Sequence, residues 1–456
     1  MDELRRLRNE IDRIDGELAR LFEERMAAAA EIAAVKRQRG LPVRDSARER
    51  EVLDRAAARI GDPALGPRFA ALMEALMAQS RAYQEALGGK TVGAVIGRPP
   101  EAAGNTDAST NTGDGSLCSG TQRTVPCVLN HPIYLERGAL GQAASLLDLD
   151  RRVFLVTDDG VPAAYAAALA GQCREATVHV VPQGEASKSP ETLTSLLEAM
   201  LRAGLTRGDC VAAVGGGVIG DLAGLAAALY MRGIDWYNVP TTLLAMVDSS
   251  VGGKTAVDLG GVKNAAGAFW QPKAVLIDPD VLGTLPSRQL ANGLAEAIKM
   301  ALTHDAELFA RFEDPAGYGP IEEIIGACLR IKSAVVAADE REAGLRRVLN
   351  FGHTLGHGLE AAAEGRLLHG EAVALGMLPL CAPAVRDRLI PVLERLGLPT
   401  YVNFDLDIDA AMEAIAHDKK STGDGIEIVT VQEIGDFRFQ RVIINDLKTL
   451  LSRLIP

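Results

Sequence analysis

Three of the chain's seven histidines fall within 20 residues. His353 and His357 stand four apart in Asn350-Phe351-Gly352-His353-Thr354-Leu355-Gly356-His357, and His369 follows in Leu368-His369-Gly370-Glu371. On a helix, residues four apart project from one face. Two imidazoles so placed suit a divalent metal, and a carboxylate from elsewhere could complete a site with one position open. The competing reading is two structural helix histidines and a surface one.

A second signal lies upstream. Val211-Ala212-Ala213-Val214 is a short apolar run that reads as a buried strand. Gly215-Gly216-Gly217-Val218-Ile219-Gly220-Asp221 follows directly, and Leu222 to Met231 reads as a helix. Glycines between a strand and a helix let the backbone approach a pyrophosphate at the helix N-terminus. Such a cluster also serves as a plain tight turn.

These groups need a scaffold, and 456 residues predict two or three domains. Residues 1–90 read as an all-α bundle. Leu4, Leu7, Ile11, Ile14, Leu18, Leu21, Ala28, Ile32 and Val35 mark one long amphipathic helix ending near Gly40-Leu41-Pro42. Ser46 and Glu49 form a capping box before a second helix. A third opens at Pro67, turns Phe69, Leu72, Met73, Leu76 and Met77 inward, and closes at Gly88-Gly89. Residues 91–122 are rich in Gly, Ser, Thr, Asn, Asp and Pro and read as a flexible linker. Residues 123–281 alternate strands and helices, the pattern of βαβ units and a parallel sheet. Residues 282–456 read as mainly helical, with a short strand-like run from Ile426 to Val431.

Net charge is −12, against nucleic acid as a bulk partner. The six cysteines include no C-x-x-C pair, and the chain is charged from Asp2 onward, unlike a signal peptide. No apolar run is long enough for a bilayer. A cytoplasmic enzyme is expected.

The first helix carries cations where the apolar register calls for core. Arg25 and Lys36, eleven residues apart, share a face. Arg8 lies about 100° away from Arg25 by helix rotation and is placed to reach a partner chain's pocket. Cations turned into a bundle are costly unless paired, so a bound anion would satisfy them. Interhelical ion pairs would do the same.

At this point the residues reach two resemblances. Residues 1–88 resemble the all-helical chorismate mutase domain through the Leu-Arg-x-x-Ile-Asp-x-Ile-Asp start, Glu24-Arg25, Lys36, Pro42 to Glu49, Ser80 and Gln84. The resemblance implies that Arg8, Arg25 and Arg48 hold the carboxylates of chorismate, assisted by Asp45, Glu49 and Ser80. It implies that Lys36 and Gln84 bond the ether oxygen whose bond breaks. A pericyclic rearrangement needs only a compact conformer and donors aimed at developing charge. Residues 123–456 resemble 3-dehydroquinate synthase through Gly215 to Asp221, Tyr230-Met231-Arg232-Gly233, Pro240 to Lys254, Lys263-Asn264, Ala295-Glu296-x-x-Lys299 and Asn350 to His357.

The second resemblance implies a Rossmann-like NAD-binding half and a helical metal-binding half. Its implied metal ligands are Glu296, His353 and His369, holding Zn²⁺ or Co²⁺. Its implied NAD contacts are Asp158, Glu185, Lys188, Gly216, Gly217, Val218, Asp221, Thr241 and Thr242. Its implied contacts to the heptulosonate 7-phosphate substrate are Asp248, Lys254, Lys263, Asn264, Lys299, Lys332, Arg346 and Asn350, plus one of Lys419 and Lys420. Arg232 would come from the neighbouring subunit of a homodimer, and His357 and Glu342 would move protons. Two alternatives compete: an N-terminal bundle that only senses chorismate or prephenate or holds a dimer, and a C-terminal half that is a related sugar-phosphate cyclase or polyol dehydrogenase.

Overall fold

The computed structural model describes Arg25, Phe69, Met73, Leu76, Ser80, Val125 and Leu129, and residues 131–342, 344–418 and 425–455. The chain forms two compact units, Met1–Ser116 and Leu117–Pro456. In the first, all five described residues are helical. Phe69, Met73, Leu76 and Ser80 step by four, three and four, so they share one face, as the amphipathic pattern predicts.

The second unit is built on a six-stranded parallel sheet. Its spatial order is β1 (Ile133–Leu135), β8 (Ala274–Ile277), β5 (Asp235–Pro240), β4 (Cys210–Gly215), β2 (Arg152–Asp158) and β3 (Glu175–Val181). Alternate residues of β2 and β4 enter two different cores, so both faces are covered. This is why these strands read as near-continuous apolar runs. Helices α2 (Pro190–Arg202) and α3 (Gly217–Leu229) contribute to one core; α1 (Ala163–Ala170) sends Leu169 to the other.

Chain direction along the sheet reverses between β2 and β4. The carboxyl ends of β2, β4 and β5 therefore bring Asp158, Gly216-Gly217 and Thr241-Thr242 to one edge, where open α/β sheets bind ligands.

Helix α3 begins at Gly217, not near Leu222 as the apolar stretch suggests. Gly217 and Gly220 are thus part of the helix, with Gly216 as its extended N-cap. A Cβ on Gly224 would lie 2.5 Å from Thr255 and 3.0 Å from Trp236, so this glycine sets how closely α3 packs. An antiparallel hairpin, β6 (Lys254–Leu259) and β7 (Val262–Phe269), was not expected. Its turn residues Gly260 and Gly261 both have positive φ, 60° and 81°. A Gly-Gly pair between strand-like runs is the signal that could have found it.

Beyond β8 the chain is mainly helical: α4 (Ser287–His304), α5 (Ala306–Glu313), α6 (Ile321–Ala338), α7 (His353–Ala362), α8 (His369–Met377), α9 (Pro383–Arg395), α10 (Ile408–Asp418) and α11 (Ile444–Ser452). The strand-like run is β9 (Gly425–Thr430), paired antiparallel with β10 (Arg438–Ile443). One apolar core runs from Ile133 through the sheet to Leu454, so sheet and helices share it across residues 281 and 282. Among the described residues no helix is long and apolar enough to cross a membrane.

Candidate active site

Helix α4 is buried from Ala291 to Thr303, and this stretch carries Glu296 and Lys299. Their side chains are 0% and 1% exposed. Glu296 faces the first residues of two other helices, His353 of α7 and His369 of α8. Its Oε1 lies 3.6 Å from Nε2 of His353 and 3.4 Å from Nε2 of His369. One ligand atom from each of the three lies within 4.8 Å of the others.

Small residues make this approach possible. Gly352 caps α7 with φ 78°, and a Cβ there would lie 2.7 Å from Met377 Cγ and 2.9 Å from the Val373 carbonyl. A Cβ on Gly376 would lie 2.1 Å from the Gly352 carbonyl. The start of α8 is also clamped from α4. Arg288 makes a bidentate pair with Glu371 at 2.7 and 2.8 Å, and the amide of Gly370 donates to Asn292 at 2.5 Å. Arg288, Asn292 and Glu296 recur every four residues, so one face of α4 sets the position of His369.

The trio fits a metal. Both Glu296 oxygens are buried without a hydrogen-bond partner, although Lys299 pairs with Oε2. Nδ1 of His353 faces the Phe351 carbonyl at 3.1 Å, and Nδ1 of His369 faces Glu360 at 3.1 Å, which leaves both Nε2 atoms toward Glu296. Burial and the nearby Lys299 push the His353 imidazole well below its ordinary value. Burial acts the same way on His369, but Glu296 and Glu360 outweigh it and raise His369 to about 9. Burial would raise Glu296, but Lys299 and His353 hold it well below the usual carboxylate range.

Beside the trio opens a cavity of about 580 Å³. It is lined by Asp221, Asp248, Lys254, Asn264, Lys299, Lys332, Glu342, Arg346, Asn350, His353, His357 and His369, all candidates from the sequence. Asp248 sits in a single π-turn, Ala245–Ser249. Lys332 of α6 bonds its carboxylate and carbonyl, and Lys299 lies 3.8 Å away. Burial lowers Lys332, whereas Asp248 and Glu296 keep Lys299 raised against its own burial. Glu342 pairs with Lys254 and accepts from Asn350 at 2.6 Å. Burial lowers Arg346, which reaches the Gly252 carbonyl at 3.3 Å. A second cavity of about 550 Å³ lies between α5 and α6. Its charges largely pair locally, Arg311 with Glu323 and Glu322 with Arg137, each at 2.9 Å.

At the sheet edge, Lys188 lies 2.6 Å from Asp221 and 3.8 Å from Glu185, and donates to Asn264 at 2.5 Å. Asp158 accepts from the amides of Gly160 and Val161 at 2.9 and 3.1 Å. Val218 lies in the first turn of α3 and Thr241 is buried. Arg232 is exposed and lies outside the cavity lining. It follows Met231 in a positive-φ pair, 49° and 70°, and makes no side-chain hydrogen bond or ion pair among the described residues. Lys263 also lies off the lining, paired with Glu360 at 2.7 Å.

In the first unit, Arg25 donates to the Leu76 carbonyl at 3.0 Å and to Ser80, bringing two candidates together. Burial lowers the Arg25 guanidinium. Arg8, Lys36, Asp45, Arg48, Glu49, Gln84, Lys419 and Lys420 lie outside the described residues.

Sequence reasoning missed several residues here. Phe269, Thr255 and Ser249 line the cavity, and Glu360 braces His369. The signal for Glu360 was available: it stands seven residues after His353, on the same helical face.

Comparison with known proteins follows the same division. Residues 7–85 match the chorismate mutase type II family, residues 178–292 the 3-dehydroquinate synthase N-terminal family and residues 293–421 its C-terminal family. The 3-dehydroquinate synthase of Latilactobacillus sakei is 44% identical over 321 residues, covering 67% of this chain and 90% of that protein. That of Streptococcus sanguinis is 39% identical over 349 residues, covering 71% and 98%. A crystal structure of 2-deoxy-scyllo-inosose synthase with carbaglucose-6-phosphate, NAD⁺ and Co²⁺ superposes with TM-score 0.66 at 26% identity, covering 72% of this chain and 98% of that one. The 2-epi-5-epi-valiolone synthase of Streptomyces hygroscopicus, with NAD⁺ and Zn²⁺ bound, gives TM-score 0.66 at 31% identity, covering 72% and 97%.

Proposed function

We propose, for a chain that belongs to the 3-dehydroquinate synthase family and carries a chorismate mutase type II segment ahead of it, two specific reactions. The chain is a bifunctional enzyme of the shikimate pathway. Its second unit converts 3-deoxy-D-arabino-heptulosonate 7-phosphate to 3-dehydroquinate and phosphate. Its first unit rearranges chorismate to prephenate. The observation that carries the synthase reading is the Glu296–His353–His369 trio, with Glu296 fully buried, beside a cavity with four cations, Lys254, Lys299, Lys332 and Arg346. Identities of 39–44% to synthases, against 26% and 31% to the two cyclases, favour it over a related cyclase.

When bound, NAD accepts and returns a hydride, and Zn²⁺ or Co²⁺ polarises the substrate hydroxyl. Glu296, His353 and His369 hold the metal; Asp158, Glu185, Lys188, Gly216, Gly217, Val218, Asp221, Thr241 and Thr242 hold NAD. Lys254, Lys299, Lys332, Arg346 and Asn350 fix a substrate that carries a carboxylate and a phosphate. Asp248 favours the charged form of Lys299 and pairs with Lys332. Lys263, Asn264 and one of Lys419 and Lys420 complete the anion contacts, and Arg232 comes from the second subunit of a homodimer. His357 and Glu342 move protons as phosphate leaves and the opened chain recloses on itself. The cavity walls keep that chain oriented for ring closure.

In the mutase unit, Arg8, Arg25 and Arg48 grip the two carboxylates, with Arg25 set by Ser80. Lys36 and Gln84 bond the ether oxygen, and Asp45, Glu49 and Ser80 assist the arginines in holding the carboxylates.

The test is to assay the purified full chain separately on chorismate and on the heptulosonate phosphate. Prephenate and dehydroquinate with stoichiometric phosphate are the expected products. Net accumulation of NADH would instead mark a polyol dehydrogenase. Tight chorismate binding without turnover would leave the first unit a sensor.

A further inference from the structure

Glu360 lies two helical turns after His353 on α7, and its carboxylate is divided between two partners. Oε2 meets Nδ1 of His369 at 3.1 Å, and Oε1 meets Nζ of Lys263 at 2.7 Å. Lys263 belongs to β7, in the sheet-side hairpin; His369 opens α8 among the helices. One side chain thus connects the hairpin to the trio.

His369 needs such support. Its side chain is 31% exposed, against 11% for His353 and 0% for Glu296. As the first residue of its helix, it has no preceding turn to pack against. Its ring is held at the far nitrogen by Glu360. Glu360 itself is only 18% exposed, so its charge is poorly screened by water.

We propose that Glu360 is a positioning residue that fixes His369 for the metal and tightens that hold when Lys263 leaves it for a substrate anion. The inference rests on the synthase reading above. While Lys263 is bound to Oε1, it neutralises part of the carboxylate. Once Lys263 turns to the substrate, the full charge bears on the His369 Nδ1–H. An imidazole so polarised is a stronger donor at Nε2. Metal and substrate then raise each other's affinity by the same factor, as linkage requires. No bond is made or broken in the device; one hydrogen-bonded ion pair is exchanged for another.

The test titrates Co²⁺ into the metal-free full chain, with and without the heptulosonate phosphate. Glu360→Gln should weaken Co²⁺ about 10- to 100-fold without substrate, the range for lost outer-shell partners. It should also reduce the substrate-induced tightening expected of the wild type. Lys263→Met should bind Co²⁺ as tightly as wild type or more tightly, because Glu360 is then free for His369. Glu360→Asp, which keeps the charge, should fall between wild type and Glu360→Gln. A Glu360→Gln affinity within about twofold of wild type overturns the inference. So does a Lys263→Met affinity as weak as that of Glu360→Gln, which would make the two contacts of Glu360 a mere structural brace. If Glu360→Gln does not fold, the Lys263→Met and Glu360→Asp titrations decide. A wild-type chain that binds no Co²⁺ overturns the metal site together with this inference, whereas normal wild-type binding isolates the fault to Glu360.

Discussion

The closeness of α7 and α8 can be tested with three glycine-to-alanine substitutions. Gly352 has φ 78°, and a Cβ there meets Met377 and the Val373 carbonyl at 2.7 and 2.9 Å. Left-handed backbone costs an L-residue about 1–2 kcal/mol. Overpacking against a rigid neighbour costs about 1–3 kcal/mol. Gly352→Ala should therefore destabilise the second unit by about 2–5 kcal/mol. Gly365 isolates the first cost: its φ is 82° and nothing lies within 4 Å of its Cβ position. Gly365→Ala should lose about 1–2 kcal/mol. Gly376 isolates the second: it lies within a helix, and its Cβ would lie 2.1 Å from the Gly352 carbonyl. Gly376→Ala should lose about 1–3 kcal/mol. Urea unfolding of the metal-free chain reads this directly, because both tryptophans, Trp236 and Trp270, lie in the second unit. Gly352→Ala and Gly376→Ala should also weaken Co²⁺, since His353 and His369 ride on the two helices being pushed apart. Gly365→Ala should leave Co²⁺ affinity intact. If Gly352→Ala cost no more than Gly365→Ala, or if Gly376→Ala were neutral, helix closeness would not be what assembles the trio.

Three further outcomes are expected. His369→Ala should lose metal, whereas His357→Ala should keep it and lose synthase rate; metal analysis of the two variants decides, and a metal-free His357→Ala chain would refute the ligand assignment. Lys36→Ala should abolish mutase activity and leave synthase activity near wild type, measured on the same preparation; an equal loss in both assays would refute independent units. Mixing inactive Arg8→Ala and Lys36→Ala chains should restore mutase activity if Arg8 serves the partner's site, and no recovery after verified subunit exchange would count against that arrangement.

Much of the site was legible because the residues that do chemistry are also local in sequence. The pair His353 and His357 announces itself by helical spacing, and the strand before Gly215 by its apolar run. What escaped was set by contacts between distant segments. Leu222 looked like a helix start because glycines are poor helix formers, yet α3 begins at Gly217. The extra turn carries Gly217 and Gly220, where a Cβ would lie 3.0 Å from Ser249 and 3.3 Å from Asn238, so close approach rather than helix preference selects glycine there. The β6–β7 hairpin escaped because its second strand, Val262–Phe269, is mostly exposed and alanine-rich, with little alternation to read. Glu360 escaped because a lone carboxylate on an amphipathic helix also suits a solvated face, and its contact with His369 forms only when α7 and α8 pack. Glu296 carries no local sign of a metal; its role came from resemblance, and its burial against His353 and His369 arises only when α4, α7 and α8 meet.

The pairing of four lysines in and around the cavity, each with a different acid, bears on how the enzyme behaves in a cell full of small anions. Lys254 has Glu342, Lys263 has Glu360, Lys332 has Asp248 and Lys188 has Asp221. An incoming inorganic phosphate or chloride would have to displace a carboxylate already in place, and it brings no hydroxyls to satisfy the acid it evicts. A polyhydroxylated sugar acid can do both, giving its anionic groups to the lysines and its hydroxyls to the released carboxylates. The cavity is thus selective by internal competition. Free phosphate, the leaving product of the synthase reaction, should be a weak inhibitor, and ambient salt should compete poorly for the site.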